Sequence, residues 1–581
     1  MNSYTSIKNE LQKIAGEEMS FSLTQPEEIT HGDYATNIAF SLCKKEALSP
    51  KMCAEKLLPQ LQVSLHDIVE TIEIAGPGFI NFFLKDDIIR KENEGRDITT
   101  KFGGKNVLVE HSSPNLFKPF SVGHLMNNVV GEFIARATQK GGASTKTMSF
   151  PSDISLGIAK ALMIIERDIT EKKVSLDFFT HETDDTVVVY LGEAYTRGVQ
   201  ECDAHEGSVE EAKKILDKMY TRLPEDESLH KLLQVTRSIN ESYFKKVLKG
   251  IDSVIDTFVY ESEAGEAGQR IIEKDLQETN VFTKSEGAVV YVPSEERKDL
   301  HTAVFINSQG YPTYEAKDLG LIDIKFSGLF SREGFENFIP DYSFFVTDAE
   351  QVSHFKIVLD AASKLGSEWP ERVAKSVHVK HGRMLFRGAK MSSRLGGVPL
   401  ALDVIGAVEE EVREYAGEKT AHLADDEKKK LEREIALSAL RVAVLRSKPG
   451  ININFDPETS LSFEGDSGPY LMYTHARASS LLLKGESITP AWGQFEVTTL
   501  EKQLVHFERV LEEVIDELSP QKLVTYLFTV AQLFNGYYAG VQILVEGDEA
   551  GNAHRLMLVR RTKEVLNQGL YILGIQAPER M

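Results

Sequence analysis

The sequence predicts a multidomain α/β chain, and three observations carry that expectation. A short β-branched run, Val107-Leu108-Val109, leads through a polar loop into a helix opening near Val122-Gly123-His124, the strand–loop–helix texture of a parallel sheet. The chain ahead of it is mixed in character, and after Leu400 the apolar spacing is helical almost to the end. At 581 residues several domains are expected, with enough apolar core to need no disulfide or metal staple.

Taken in order, residues 1–100 close on Ile72-Glu73-Ile74-Ala75, a Gly76-Pro77-Gly78 turn and Phe79-Ile80-Asn81-Phe82-Phe83-Leu84, two strands around a tight turn. Residues 31–37 read as a turn into a helix beginning at Ile38, and the charged stretch 85–101 reads as a connection. Residues 101–400 form the α/β domain, with Phe344-Phe345-Val346 and Val377-His378-Val379 as further strands. A charged, helix-prone stretch at about 160–300 reads as an insertion between its two halves. A helical connection spans 401–455 and a helical bundle 456–581. In the bundle Leu504, Phe507, Leu511, Val514 and Leu518 share one helical face; Leu527, Val530, Phe534, Tyr537 and Val541 share another.

Charge narrows the function classes. With 88 acidic against 66 basic residues and a net charge of −22, the chain does not read as a general nucleic-acid coat. Local basic patches remain compatible with RNA, because screening confines each to about 8–10 Å. No apolar run is long enough to cross a bilayer, and the amino terminus lacks the apolar core of a signal peptide. Cys43, Cys53 and Cys202 are too few and scattered for a disulfide framework or a metal knuckle. A reduced, cytoplasmic protein without a membrane partner is expected.

Two clusters carry chemistry. Glu110-His111-Ser112-Ser113-Pro114-Asn115, then Lys118-Pro119-Phe120-Ser121-Val122-Gly123-His124-Leu125, sits between a strand and a helix start. A helix amino terminus offers unpaired N–H groups and positive dipole to phosphate. Gly123 leaves room for close backbone approach, and His124 can donate to a phosphate whose charge is building. The second cluster, Gly388-Ala389-Lys390-Met391-Ser392-Ser393-Arg394-Leu395-Gly396-Gly397, reads as a closing loop whose cations suit departing pyrophosphate.

On these residues the sequence resembles the class I aminoacyl-tRNA synthetases, through an HxGH-like element followed by a KMSKS-like element. The resemblance narrows to the arginyl-tRNA synthetases. It is carried further by Gly310-Tyr311-Pro312-Thr313-Tyr314-Glu315-Ala316-Lys317-Asp318, by Gly32-Asp33-Tyr34-Ala35-Thr36-Asn37, and by Ile74-Ala75-Gly76-Pro77-Gly78-Phe79-Ile80-Asn81. Gly468-Pro469-Tyr470-Leu471 with Tyr473-Thr474-His475-Ala476-Arg477, and the ending Ala577-Pro578-Glu579-Arg580-Met581, extend it over nearly the whole chain. It implies a Rossmann-like class I catalytic domain, a mixed α/β N-terminal tRNA-binding domain and an all-α C-terminal anticodon-binding bundle.

The resemblance also implies residue roles. His124, Lys390, Ser121 and Gly123 fall at catalytic positions. Glu110, Asn115, Tyr314, Asp318 and Gln351 fall at the arginine site. Ser113, Pro114, Lys118, Gly123, His124, His354, Met384, Lys390, Met391 and Ser392 fall at the ATP site, and Tyr470, Tyr473 and Arg477 at a tRNA surface. A planar guanidinium with five donors suits a carboxylate pair, which lysine satisfies poorly. Tyr314 and Asp318, four apart, would share a helical face. The implied reaction activates L-arginine with ATP and transfers it to tRNA(Arg). Mg²⁺ travels with ATP, there is no protein metal site or tightly bound cofactor, tRNA is needed for activation, and the state is monomeric. Arg383, Arg387, Lys390 and Arg394, and Arg555, Arg560, Arg561 and Lys563, are candidate basic patches; Tyr537 and Tyr538 are candidate stacking rings.

Two departures matter. Ser121 stands where the family usually has the first histidine of its signature. Losing such a donor costs up to about 3–4 kcal/mol of barrier, and compensation by His111 or the cationic loop is expected. Ser393-Arg394 replaces the second lysine pattern of the loop. Two rival readings stand beside the first. A synthetase for glutamine or cysteine is weakened by the two acidic groups and the missing metal-ligand cysteines; a catalytically impaired paralogue that binds tRNA is made thinkable by Ser121.

Overall fold

The computed structural model describes residues 2–16, 19–26, 28–46, 48–386, 400–416 and 424–581. They divide into two compact units, one of residues 1–100, 462–571 and 576–581, the other of residues 101–461 and 572–575.

In the first hundred residues, helix α1 (Ser3–Ala15) starts at Asn2, whose Oδ1 accepts the Thr5 N–H at 2.8 Å. Strands β1 (Leu23–Thr24) and β2 (Tyr34–Thr36), helices α2 (Ile38–Glu46) and α3 (Pro50–Ser64), and strands β3 (Val69–Ala75) and β4 (Phe79–Leu84) follow. The sheet runs β1-β2-β4-β3, antiparallel throughout. The β3–β4 turn needs Gly78, at φ 140°, because a Cβ there would lie 2.7 Å from the Pro50 carbonyl carbon. The stretch 85–101 is not a plain connection. It holds α4 (Asp86–Glu92), with Asp86 and Asp87 in its first turn, Arg90 and Lys91 in its last, and Ile89 fully buried, charges that suit both ends of the helix dipole.

The second unit is built on a five-stranded parallel sheet. Its elements are β5 (Asn106–Glu110), α5 (Val122–Lys140), β6 (Ser144–Ser149) and α6 (Leu156–Thr170), then β7 (Thr257–Phe258), β11 (Tyr342–Asp348) and β12 (Ser376–His381), in the order β12-β11-β5-β6-β7. Val107, Leu108 and Val109 are wholly buried, as expected of a strand covered on both faces. The chain leaves β5 towards β6 on one side and reaches β11 only later on the other. The carboxyl ends of β5 and β11 therefore flank the switch point, where open parallel sheets place their ligand crevice.

Between β6 and β7 come α7 (Phe178–His181), α8 (Asp184–Ala204), α9 (Glu206–Thr221) and α10 (Glu227–Gly250). They pack with α6 around Ile158, Leu162, Ile165, Leu191 and Phe244. The sheet resumes at β7, so the helical excursion ends well before the boundary near 300 expected from charge and helix propensity. Residues after it form α11 (Glu261–Glu278) and an antiparallel sheet of β8 (Phe282–Ser285), β9 (Ala288–Tyr291) and β10 (Ala303–Ile306). This layer packs on α12 (Tyr314–Asp323) and α13 (Val352–Ala362) through Phe282, Phe305, Leu319 and Val358. Helix α14 (Trp369–Lys375) leads into β12. Then come β13 (Met384–Phe386), α15 (Ala401–Ala416), α16 (Asp425–Leu445) and β14 (Ile453–Phe455), with β13 and β14 parallel.

The helical end comprises α17 (Gly468–Lys484), α18 (Thr499–Leu504), α19 (Phe507–Glu517), α20 (Pro520–Gly540) and α21 (Glu549–Ile572). The expected single face from Leu504 to Leu518 is split. Leu504 ends α18, and Leu518 is the left-handed cap of α19 at φ 52°, so the apolar spacing continues across a break in the backbone. On α20, Leu527, Val530 and Phe534 are buried, whereas Val541 is its exposed cap.

Candidate active site

The loop after β5 is held by groups that the motifs do not announce. Ser112 and Phe117 adopt left-handed φ values of 55° and 62°, uncommon for such residues and stable only when neighbours over-determine them. The Ser112 N–H donates to Asn127 Oδ1 at 2.6 Å, while Asn127 Nδ2 donates to the Val346 carbonyl of β11. One α5 side chain therefore ties both sides of the switch point. Asn128 Nδ2 donates to the Ser112 hydroxyl at 3.1 Å, and the Phe117 N–H donates to Asn240 Oδ1 at 3.2 Å. Sequence reasoning passed over Asn127 and Asn128; the available signal was two polar, weak helix formers side by side in a helix interior.

At the start of α5, the Ser121 N–H donates to His124 Nδ1 at 3.0 Å, and the Ser121 hydroxyl lies 3.2 Å from the same nitrogen. Nδ1 is thus the acceptor, which places the ring proton on Nε2. Burial, with help from Lys118 and His381, pushes the His124 pKa down to about 4, so the ring is a neutral donor. Among the described residues, a Cβ on Gly123 would meet the Ser121 hydroxyl alone, at 3.6 Å, an ordinary van der Waals contact. Leu400 forms an isolated bridge with Ser121, and the Ala401 N–H donates to the Phe120 carbonyl at 2.8 Å, so the chain re-enters the described structure beside this helix tip.

His111 does not do what the sequence suggested. It is wholly buried beneath α5, where a Cβ on Gly131 would overlap its ring, and its Nδ1 lies 2.9 Å from the Ser112 hydroxyl. Burial pushes its pKa down. It is a structural wedge, and compensation for Ser121 from this side chain is ruled out by position.

The acidic end is assembled from three elements. Glu110, the last residue of β5, is buried and paired with Lys325. Burial pushes its carboxyl up, the lysine opposes that, and the charge of Asp318 adds to it. Asp318 and Tyr314 do lie on one helix, α12. Tyr314 is 58% exposed, and Asp318 Oδ2 lies 2.5 Å from His354 Nε2 on α13. His354 Nδ1 faces Glu315 at 3.6 Å. Burial works against a charged ring, but the Asp318 and Glu315 carboxylates outweigh it and raise the His354 pKa to about 10. Beside them Lys317 and Glu261 form a second buried pair at 2.6 Å, supported by Ser152 and the Ile154 carbonyl. The helices α11 and α12 approach so closely at Gly268 and Gly320 that neither position admits a Cβ. Lys325, Glu261 and Lys317 were missed in sequence because nothing local distinguishes them; their pairing is tertiary.

Other expected positions place as follows. Ser113 Oγ accepts the Phe150 N–H at 2.9 Å, and the Lys118 ammonium sits 4.7 Å from the centre of the Tyr195 ring. Pro114 is buried and Asn115 half-buried, with the Asn115 carbonyl accepting the Lys118 N–H. Gln351 is exposed just before α13. Met384 is buried in β13 opposite Ile453. Arg387, Lys390, Met391, Ser392 and Arg394 lie outside the described residues.

The expected RNA groups divide sharply. Arg383 pairs with Glu350. Arg561 is buried against Glu508, Arg555 bonds Asp548, Asn552 and the Ile543 carbonyl, and Lys563 pairs with Glu579. The carboxyl-terminal basic patch is therefore not a patch: α21 turns Arg561 inward and gives the others acidic partners. His475 is buried and bonds the Pro578 carbonyl at 2.9 Å. Arg477, by contrast, stands over two rings, 4.7 Å from Tyr473 and 4.8 Å from Tyr538, with Tyr470 half-buried on the same helix α17.

Comparison with known proteins accords with this architecture. Residues 2–84 match the family described as arginyl tRNA synthetase N terminal domain, residues 87–456 the class I (R) tRNA synthetase catalytic domain, and residues 471–581 the DALR anticodon binding domain. Among curated proteins the chain is similar to arginine–tRNA ligases of Exiguobacterium sibiricum (28% identical, 98% of this chain and 97% of that one) and Lactobacillus johnsonii (28%, 97% of each). Among solved structures it shares the fold of the Thermus thermophilus arginyl-tRNA synthetase (TM-score 0.80, 24% identity, 100% and 99% covered). The Plasmodium falciparum enzyme also shares it (TM-score 0.77, 19%, 100% and 98%). Because the catalytic match alone spans residues 87–456, well over half its length, the chain belongs to the class I arginyl-tRNA synthetases.

Proposed function

We propose that the chain performs its family's arginine–tRNA ligation in the crevice between β5 and β11, with arginine held at the acidic end and ATP at the tip of α5. The observation that supports this reading best is the pairing of ends. The charge of Asp318 bears on the buried Glu110 carboxyl at one, and a neutral His124 beside Gly123 occupies the other.

In the first step the arginine carboxylate attacks the α-phosphorus of MgATP, pyrophosphate leaves, and arginyl-adenylate forms. In the second, a terminal ribose hydroxyl of tRNA(Arg) attacks the mixed anhydride and AMP leaves. Glu110, Asp318 and Tyr314 orient the guanidinium, Asn115 and Gln351 the amino acid's remaining polar groups, and His124 Nε2–H the phosphate. Lys390 of the second signature would stabilise the departing charge. Positioning and preorganised donors supply most of the acceleration in such displacements. Arg477 with Tyr473 and Tyr538 is the preferred tRNA contact, since a cation between rings suits an unstacked base. A monomeric, cytoplasmic enzyme is the accompanying reading; all three cysteines are free thiols, and no described helix is long and apolar enough to cross a membrane.

ATP–pyrophosphate exchange with arginine and tRNA tests the reading. Exchange that requires arginine is expected, with E110Q and D318N raising the KM for arginine at least about tenfold, the loss of a charged hydrogen bond. Exchange driven by another amino acid, or none at all, would overturn it in favour of the respective rival.

A further inference from the structure

Glu110 does not face an empty crevice alone. Lys325, seven residues beyond Asp318, lies in a π-helical turn (Ile324–Gly328) that continues α12; such turns often mark functional sites. Its ammonium reaches Glu110 Oε2 and lies 5.1 Å from the centre of the Phe345 ring. Phe345 is the register partner of Glu110 across β11 and β5, so one cation caps both members of a cross-strand pair. The side chains of Lys325 and Glu110 are 4% and 9% exposed. Neither is a solvated surface ion, and each leaves the other stranded if it moves.

We infer that Lys325 is a specificity-determining positioning residue, which pins the Glu110 carboxylate and thereby rejects lysine from the arginine site. The inference rests on the assignment of Glu110 to the guanidinium proposed above. Two physical effects act together. With Oε2 engaged, Glu110 presents only its other oxygen, at a fixed place. Arginine's terminal nitrogens extend beyond the position of a lysine ammonium by roughly one C–N bond, about 1.3 Å. To meet the shorter substrate Glu110 would have to advance and abandon a buried ammonium. The second effect is charge. A lysine ammonium is a compact point charge brought towards the Lys325 ammonium, whereas guanidinium delocalises its charge and binds edge-on. This is discrimination by an element set against the competitor as well as by contacts to the substrate. The second pair, Lys317–Glu261, shows the same device beside it and keeps that acid from offering an alternative seat.

The test is steady-state aminoacylation by the full chain with tRNA(Arg), measuring the KM for arginine, the Ki of L-lysine as competitor and the KM for ATP. K325M should lower the ratio of lysine Ki to arginine KM at least about tenfold, equivalent to about 1.4 kcal/mol of lost discrimination, with the KM for ATP unchanged. K325R, which keeps a cation on Glu110, should hold the ratio within about threefold of wild type. If K325M does not fold, K325Q serves: it keeps a donor but no charge, and the ratio should fall about threefold or more. A ratio unchanged in K325M, or in K325Q where that variant stands in, overturns the inference. E110Q separates the two levels. If it impairs arginine binding while the lysine 325 variants leave the ratio intact, only the role of Lys325 fails. If E110Q binds arginine normally, the site assignment fails and the inference with it.

Discussion

The close approach of α11 and α12 makes a prediction that needs no contact with substrate. A Cβ on Gly320 would lie 2.9 Å from the Ala264 carbonyl carbon, with the carbonyl oxygen nearer still, and the reciprocal Gly268 is 2.7 Å from that of Ala316. Carbon atoms settle at about 3.5–4.0 Å, so G320A forces the helices apart by about 1 Å. Overpacking of this kind costs about 1–3 kcal/mol, offset by up to about 1 kcal/mol from alanine's better helix propensity. The larger effect is on function, because α12 carries Tyr314, Glu315 and Asp318 and displaces them as it moves. A shift of about 1 Å can cost about 10²-fold. Arginine-dependent pyrophosphate exchange by G320A should therefore fall by about that factor in kcat/KM for arginine, with the KM for ATP within about threefold and a cooperative melt at lower temperature. A G320A protein with wild-type arginine KM and wild-type melting would refute the claim that glycine-to-backbone packing sets the position of the acidic end.

Three further outcomes follow from named contacts. His354, whose pKa is raised from its ordinary value of 6.5 to about 10 between Asp318 and Glu315, contributes stability that is whole below pH 6.5 and lost as pH rises towards 10. H354Q should thus be most destabilised near pH 6, its deficit in urea melts shrinking steadily to pH 10; a constant deficit would contradict the charged ring. G131A drives a methyl group into the His111 ring and should cost about 1–3 kcal/mol, much of it relieved in G131A/H111A; additive losses in the double variant would show that the two do not share the space. R477A removes the guanidinium between Tyr473 and Tyr538 and should raise the KM for tRNA about tenfold, the scale of one lost base stack, a prediction that fails if filter binding of tRNA is unchanged.

Much of this was legible because it is local. Val107-Leu108-Val109 and Val377-His378-Val379 carry their strand identity in β-branched residues, and the helix after Ser121 begins where a capping residue and a glycine put it. The four-residue spacing of Tyr314 and Asp318 fixes their shared helix. What sequence did not reveal depends on the third dimension. Arg555, Arg560, Arg561 and Lys563 look like one basic patch in a string, yet a helix distributes them around its circumference and buries Arg561. Residues 85–101 look like a connection because their charges hide the fully buried Ile89 that anchors α4. Asn127 and Lys325 are ordinary letters until β11 and β5 are side by side. Leu518 keeps the helical spacing of its neighbours although the backbone has already turned left-handed, since periodicity records which face is buried, not whether the helix is continuous.

The departure at position 121 is better understood from the ring it touches than from the residue it replaces. Two groups of Ser121 approach His124 Nδ1, the backbone N–H at 3.0 Å and the hydroxyl at 3.2 Å. The backbone donor is independent of side chain, so the tautomer that presents Nε2–H is secured whatever residue stands there. A histidine at 121 would add a donor for phosphate; serine adds a second support for the donor already present. The expected penalty of up to about 3–4 kcal/mol applies to a lost contact with the transition state; the two Ser121 contacts act instead on the orientation of the ring. That partition fits the electrostatics of the crevice. On the proposed reading, the α5 end would offer phosphate a neutral imidazole, a donor whose hydrogen bond strengthens as charge builds without attracting the ground-state triphosphate too tightly. The acidic end holds ion pairs already formed, so that a guanidinium seated there as proposed would enter a field whose desolvation cost was met when the chain folded.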